Sequence, residues 1–280
     1  MSDLHIWKVE SSWQGNKKFD NVLTYFESRG CLFCAHCGDI TQTGLYDDGD
    51  KLNLAPAQFE MYKSICDKHT IPVYGICGNH ESYVNPIENN LTELKYYAGT
   101  DLYYTMEQNE DLFIFIGQPH GSIVMSNSAF SWLEGMLETN KNKRCFVFVH
   151  AYIEEDSGDP MDLRENSIFE YWGEANKNAF MNLLRQYPNT ILFHGHSHMK
   201  FECQKLDKTA NYTERNGFKS VHVPSCATPR DVDVNNKVSV DDHTASQGYI
   251  VDVYDDCIVL NGTDFVNEVP VPLGVYKINT

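Results

Sequence analysis

The sequence predicts an α/β domain, a sheet with helices packed on its outside, and three observations predict it. Helical and β-type apolar patterns alternate through the first half of the chain, which favours a sheet covered by helices. Four of the β-type runs end in a residue able to bind a metal ion. From about residue 200 onward the chain reads mostly as strands, which predicts a second sheet or a large mixed edge.

The helical patterns fall at 17–28, 56–68, 128–139 and 175–186. In the second, Phe59, Tyr62 and Cys66 recur at steps of three and four with Glu60, Lys63 and Asp67 between them, the spacing of one helix face. Short apolar β-type runs fall near 32–37, 71–77, 112–117, 144–149, 190–194, 219–223, 248–254 and 257–261. Asp39 follows the first of these, Asn79 the second, His150 the fourth and His196 the fifth. Ligands of open α/β sheets bind outside the carboxyl ends of strands, so this pattern predicts one shared site.

Between His150 and the helix near 175 lies an irregular stretch, 151–173, carrying Glu154, Glu155, Asp156, Asp159, Asp162 and Arg164. It reads as a lid, with Arg164 able to reach a phosphate oxygen. Arg230, in the loop Pro224–Asp231, is a second candidate phosphate contact. No repeat, low-complexity stretch or linker interrupts the sequence, so residues 1–280 read as one domain with a sizeable core.

Composition narrows the function. The net charge of −17 argues against broad electrostatic binding to nucleic acid or to an anionic membrane, both of which use Lys/Arg-rich faces. No apolar run approaches the roughly 18 residues of a membrane span. The start, Met1-Ser2-Asp3-Leu4-His5, has neither the charged nor the apolar region of a signal peptide. Nine cysteines cannot all pair within the chain, and reduced, mostly buried thiols in a cytoplasmic protein are the expectation. Cys31, Cys34 and Cys37 invite a metal or redox reading. Residues three apart on a strand point to opposite faces, so all three read as core filler.

The chemistry is carried by five clusters: Asp3-Leu4-His5, Gly38-Asp39, Gly78-Asn79-His80-Glu81, His150, and Gly195-His196-Ser197-His198. Imidazole suits Zn, Fe, Ni or Cu, and carboxylate or amide oxygen suits harder ions such as Mn. Such a donor set fits two adjacent metal ions, a recurring device for hydrolysing phosphate esters. Gly38, Gly78 and Gly195 each precede ligands, where the chain must turn sharply or approach the ions closely. His196 and His198, two apart, would face one side of an extended segment. His36, His69, His120, His194, His222 and His243 read as structural or surface residues, with His120 and His222 closest to lining the site.

In this order the clusters resemble the calcineurin-like metallophosphoesterase family. They span Asp3 to His198, about two-thirds of the chain, and Gly248–Tyr254 resembles a closing strand of many members. The resemblance implies a four-layer αββα sandwich with two mixed β-sheets, of the metallo-dependent phosphatase type, with the dimetal centre at one edge. It implies that Asp3, His5 and His198 hold one ion, that Asn79, His150 and His196 hold the other, and that Asp39 bridges them. The cofactors would be two divalent transition-metal ions: Mn, Zn, Fe or Ni. With Asp3 and Asp39 the only anionic ligands, the local charge is about +2 before any bound hydroxide, which attracts a phosphate despite the acidic chain.

His80 stays off the metals in this reading. It would stabilise the transferring phosphoryl group or protonate the leaving oxygen, with Glu81 orienting it. The implied reaction is attack on phosphorus by a hydroxide held between the ions, on a small phosphomonoester or phosphodiester, nucleotides included. A metal-dependent nuclease and an inactive scaffold are the alternatives. The acidic balance opposes the first and the complete ligand set opposes the second. Ile40, Thr41 and Gln42 follow Asp39, so the metal-binding tyrosine of purple acid phosphatases has no counterpart there. The family's strand before the first Asp corresponds here only to Met1-Ser2, which predicts a missing strand and a less secure first metal site.

Overall fold

Phenylalanines alternate with aliphatic residues along Asp111–Ile116 and Cys145–Phe148, and both strands are buried throughout. A strand covered on both faces must lie between two other layers, and this pair sits in the middle of the fold. The computed structural model describes residues 1–7, 14–42, 51–82, 95, 99–120, 123–152, 176–205, 211–214, 217–232 and 239–280. In order, the elements are α1 (Gln14–Ser28), β1 (Cys34–His36), α2 (Lys51–Cys66), β2 (Val73–Gly75), the short α3 (Asn79–Ser82), β3 (Tyr103–Gln108), β4 (Asp111–Ile116), α4 (Asn127–Thr139), β5 (Cys145–Phe148), α5 (Lys177–Arg185) and β6 (Thr190–His194). A 3-10 turn at Phe201–Lys205 leads to β7 (Tyr212–Thr213), β8 (Lys219–His222), β9 (Arg230–Val232), β10 (Ser239–Asp241), β11 (Gln247–Val253), β12 (Cys257–Asp264) and β13 (Val269–Asn279).

The larger sheet has six strands in the order β3-β4-β5-β6-β8-β7. Its four central strands are parallel and its outer pairs antiparallel. On one face Leu112, Ile114, Val147 and Leu192 pack against Ala129, Leu133 and Leu137 of α4 and Phe180 and Leu184 of α5. Ser126 caps α4 and Asn176 caps α5 with side-chain oxygens that accept from the first turn. On the other face Phe113, Phe115, Phe146, Phe148 and Phe193 meet Tyr249, Ile258, Leu260, Val271 and Ile278 of the second sheet. Phe113 stacks on Phe146 at 4.6 Å and Phe115 on Phe148 at 4.7 Å, arranging the middle of the molecule as ladders of rings.

Backbone bonds assemble the second sheet. β11, β12 and β13 are antiparallel, and β1 pairs in parallel with β2. The two groups are joined through the first residues of the sequence. The Met1 amino group donates to Ala35 O at 2.9 Å and Cys37 N donates to Met1 O at 3.0 Å. Cys226 N donates to Ser2 O at 2.8 Å, and Gln247 N to Ser225 O at 3.2 Å. Met1 and Ser2 thus carry pairing on both sides in the place expected of the strand before Asp3. Outside this sheet, Phe19, Val22, Leu23 and Phe26 of α1 and Phe59, Tyr62 and Ile65 of α2 close the fourth layer over Leu4, Ile6, Cys34 and Phe265. The αββα order is complete.

Two expectations need correction. The first strand begins at Cys34, not residue 32: Leu32 is 65% exposed and Cys31 only half-buried, so of the three cysteines Cys34 and Cys37 alone fill core. β13, the longest strand, was absent from the expected set. Pro270 and Pro272 break its β pattern, yet proline is tolerated on an edge strand, and β13 is the edge. All nine cysteines are free, and seven are buried. No helix among the described residues is long and apolar enough to cross a membrane.

Candidate dimetal centre

The five clusters converge at the carboxyl ends of β1, β2, β5 and β6, as the strand-then-ligand pattern predicts. What positions the side chains is an unusual backbone. Asp3, His5, Asp39, His196 and His198 have φ of 54°, 47°, 50°, 69° and 63°. They are five of the seven non-glycine residues in the left-handed region among those described. That conformation costs about 1–2 kcal/mol per residue and persists where the surroundings over-determine it. Here they do. Asp3 N donates to Gly38 O, Leu4 N and His5 N both donate to Asp39 O, and Ile6 N donates to Ile40 O, all at 2.8–3.0 Å. His196 N donates to Asp3 Oδ2 at 3.1 Å, and Arg230 N to His198 O at 2.7 Å. His196 and His198 therefore do not lie on an extended segment, as expected above. β6 ends at His194, and two left-handed residues send the two rings apart.

Two glycines are required by proximity. A Cβ on Gly78 would stand 2.1 Å from Asp39 Oδ1, and one on Gly195 would stand 1.8 Å from Ser2 Oγ and 2.8 Å from Asp3 Oδ2. A side chain at either position would displace a carboxylate of the site.

The donor atoms fall into two groups that share Asp39, buried except for the half-buried His196. Asp3, His5, Asp39 and His198 form one, and Asp39, His150 and His196 the other, with donors of each within 4.8 Å of one another. In the first, His5 Nε2 and His198 Nε2 are 3.0 Å apart, His198 Nε2 is 3.2 Å from Asp3 Oδ1, and His5 Nε2 is 3.8 Å from Asp39 Oδ2. In the second, His150 Nε2 is 2.7 Å from Asn79 Oδ1, 3.0 Å from His196 Nδ1 and 3.3 Å from Asp39 Oδ1. His196 Nδ1 is 2.8 Å from Asn79 Oδ1. Metal–nitrogen bonds of about 2.0–2.1 Å put neighbouring ligands of one ion about 3 Å apart, and the separations of 2.7–3.8 Å here cluster around that spacing.

Hydrogen bonds behind the rings fix which nitrogen faces inward. His150 Nδ1 donates to Cys37 O at 2.8 Å, and His198 Nδ1 donates to Thr228 O at 3.1 Å with Thr228 Oγ1 equally close. Each leaves Nε2 for the site, the usual support of a metal-binding histidine. Burial raises the cost of charge throughout, yet the imidazoles nearby hold the Asp3 and Asp39 carboxyls well below their ordinary range. Burial, reinforced by the neighbouring imidazoles, keeps His5 low, and burial keeps His80 low. Burial opposes a charge on His150 too, but Asp39 outweighs it and lifts the ring to about 10.

His80 stands beside both groups. Its Nε2 is 3.8 Å from Asp39 Oδ2, its ring meets that of His5 edge-on at 4.6 Å, and its backbone N donates to Asp39 Oδ1 at 3.0 Å. Glu81 is placed differently from expectation. Its carboxylate accepts from Thr41 N and Gly78 N at 2.7 Å each and from Thr41 Oγ1 at 3.0 Å, tying together the turns that carry Asp39 and Asn79. Burial and the nearby Asp39 raise it to about 7.

Arg230 follows the strand-end ligands in space through its backbone bond to His198, but its guanidinium is engaged by Asp241 at 2.9 Å. Arg164 and 153–173 of the expected lid lie outside the described residues. Two supports went unread in the sequence, Thr228 behind His198 and Tyr152 stacked on His196 at 5.8 Å, whereas His222, read as near the site, stands 2.7 Å from Ser197 Oγ. Tyr152 has a visible signal, two residues past His150. Thr228 has none.

The sequence profile of the calcineurin-like phosphoesterases matches residues 1–200. The chain belongs to that family. The match ends just after His198, so it contains every residue of the two donor groups, and it makes the chain a metal-dependent phosphoric ester hydrolase. The fold of this phosphoesterase is similar to that of a dimetal phosphatase from Danio rerio, with TM-score 0.66 and 14% identity over 100% of this chain and 97% of that one. It is also similar to the purple acid phosphatase PPD1 from yellow lupin (Lupinus luteus) seeds, with TM-score 0.63 and 13% identity over 99% of this chain and 52% of the other. Both likenesses are of fold. No curated protein sequence matches this chain.

Proposed function

We propose that the phosphoesterase hydrolyses a small phosphomonoester or phosphodiester at a centre of two divalent ions. Asp3, His5 and His198 would hold one ion, Asn79, His150 and His196 the other, and Asp39 both. The observation that carries this reading is the pair of donor groups, each spaced as a coordination shell, meeting at one carboxylate. Bound there, the ions supply Lewis acidity toward the phosphoryl oxygens and lower the pKa of water.

The chain's own residues do the rest. Asp39 is fixed by its position between His150 and His80, and His80 N donates to its Oδ1, so the bridging carboxylate cannot rotate freely. Cys37 O and Thr228 present Nε2 of His150 and His198 to the ions. Burial keeps His80 neutral next to, and outside, both donor groups. From there its ring N–H would donate to the transferring phosphoryl group, or the ring, once it has taken up a proton, would pass it to the leaving oxygen. Glu81 acts as a positioning residue through Thr41 and Gly78.

The test is hydrolysis of an aryl phosphomonoester and the matching diester by purified protein, chelated and then supplied with Mn²⁺. Turnover that vanishes on chelation and returns with Mn²⁺ is expected, and the ratio of the two rates assigns the ester class. Two bound ions without turnover on any phosphate ester would overturn the reading in favour of a metal-binding scaffold.

A further inference from the structure

We propose that Ser197 and His222 form a positioning pair that couples the two halves of the dimetal centre. The proposal rests on the ligand assignment above. β8 lies beside β6 with His222 paired to His194, so the His222 side chain reaches beneath the turn that leaves β6. There His222 Nε2 stands 2.7 Å from Ser197 Oγ, and both residues are buried. Ser197 Oγ also accepts from Met199 N at 3.3 Å, and its second lone pair and its hydroxyl hydrogen let it accept from or donate to His222 Nε2 according to the tautomer of the ring.

The place of this bond in the chain gives it its consequence. Ser197 is the one residue between His196, which faces the second donor group, and His198, which faces the first. Both neighbours are in the left-handed region, a small basin that persists only where the surroundings hold the chain. A bond to Ser197 therefore sets the relative direction of two rings that serve different ions. Burying a hydroxyl and an imidazole costs more than burying an apolar pair of similar size, so the packing of this region alone does not call for them. The pair is a support of the kind that orients metal ligands, with the distinction that it acts on two ligands at once.

The experiment is calorimetric titration of the chelated full chain with Mn²⁺, for wild type, Ser197→Ala, His222→Ala, His222→Gln and the Ser197→Ala/His222→Ala double variant. Thermal unfolding of each chelated protein is recorded alongside. Each alanine variant is expected to weaken both ions by roughly 10–100-fold. The double variant is expected to be no weaker than either single one, because the two residues act through one bond. His222→Gln, whose amide can accept from or donate to the same hydroxyl, is expected to recover most of the affinity. Unchanged affinities in Ser197→Ala and His222→Ala overturn the proposal, even if unfolding shifts, since that is the mark of a packing role. Loss confined to one ion overturns the coupling. If His222→Ala does not fold, Ser197→Ala and His222→Gln decide. Wild-type protein that binds two Mn²⁺ and hydrolyses no ester would sink the proposed function and leave this pair standing.

Discussion

The two donor groups hold similar side chains on different foundations. Asn79, His150 and His196 follow the ends of β2, β5 and β6 by four, two and two residues, close behind strands whose ladder bonds fix the chain. Of these three only His196 is left-handed. Asp3, His5 and His198 come from the first residues of the sequence and from the far end of the ligand turn, and all three are left-handed. They are held by scattered bonds to residues 38–40, 225–228 and 230 rather than by a strand ladder. Sites built on regular elements are more precise than sites built on loops. The second group is a product of the sheet, whereas the first is strain restrained by its neighbours, so the first is expected to lose its ion more readily.

The harshest test removes what the groups share. Asp39→Asn should release both ions and, with several kcal/mol of transition-state stabilisation gone, slow hydrolysis on the order of 10³-fold or more. Loss of one ion alone in elemental analysis would show that Asp39 does not bridge. His80→Ala should slow turnover by roughly 10²–10⁴ with both ions retained. A matching loss of metal would move His80 into a donor group. Thr228→Val removes the hydroxyl beside His198 Nδ1 and leaves the carbonyl. It should weaken the first ion roughly 10-fold and spare the second, which sharpens the contrast directly. Equal weakening of both would erase it.

The smallest effect lies away from the site. His69 bonds Glu27 at 3.0 Å and Asp20 at 3.1 Å, tying α1 to the segment after α2. Burial opposes the charge on His69, but the two carboxylates outweigh it and raise the ring above its ordinary 6.5. Its contribution to stability is thus full below 6.5 and is lost as pH rises through the raised value. Glu27, held down to about 2 chiefly by His69 and Thr70, contributes above its ordinary 4.5 and loses that only in acid. Thermal midpoints should therefore fall on going from mildly acidic to alkaline pH in wild type and less so in His69→Gln. Parallel profiles would remove the latch.

The residues of the two candidate donor groups were picked out because their signal is chemical and ordered: the end of a strand, often a glycine, then Asp, Asn or His. The two central layers were legible for a related reason, since Asp111–Ile116 and Cys145–Phe148 carry the unbroken apolar runs of doubly covered strands. Other parts left no such trace. Tyr103–Gln108 is an outer strand whose polar residues face water, and β13 hides behind two prolines. The joint made by Met1 and Ser2 rests on backbone atoms, which carry no side-chain signature. Glu81 was read as a partner of His80 because the two are adjacent in sequence. Instead, its oxygens meet Thr41, forty residues earlier in the sequence. The left-handed turn at His196–His198 was read as extended because spacing by two looks the same in either geometry.

The concentration of left-handed residues also decides how this site can be interrogated. Alanine at Asp3, His5, Asp39, His196 or His198 would delete a donor and, in the same step, force a Cβ-bearing residue with no polar side chain into a conformation that it resists. An alanine scan would then report ligand loss and backbone relaxation as one number. Asparagine tolerates this region better than alanine does, so Asp→Asn and His→Asn exchanges keep the path of the chain while changing the donor. In this enclosure the polar substitution is the quieter one, the reverse of the usual rule for a buried position.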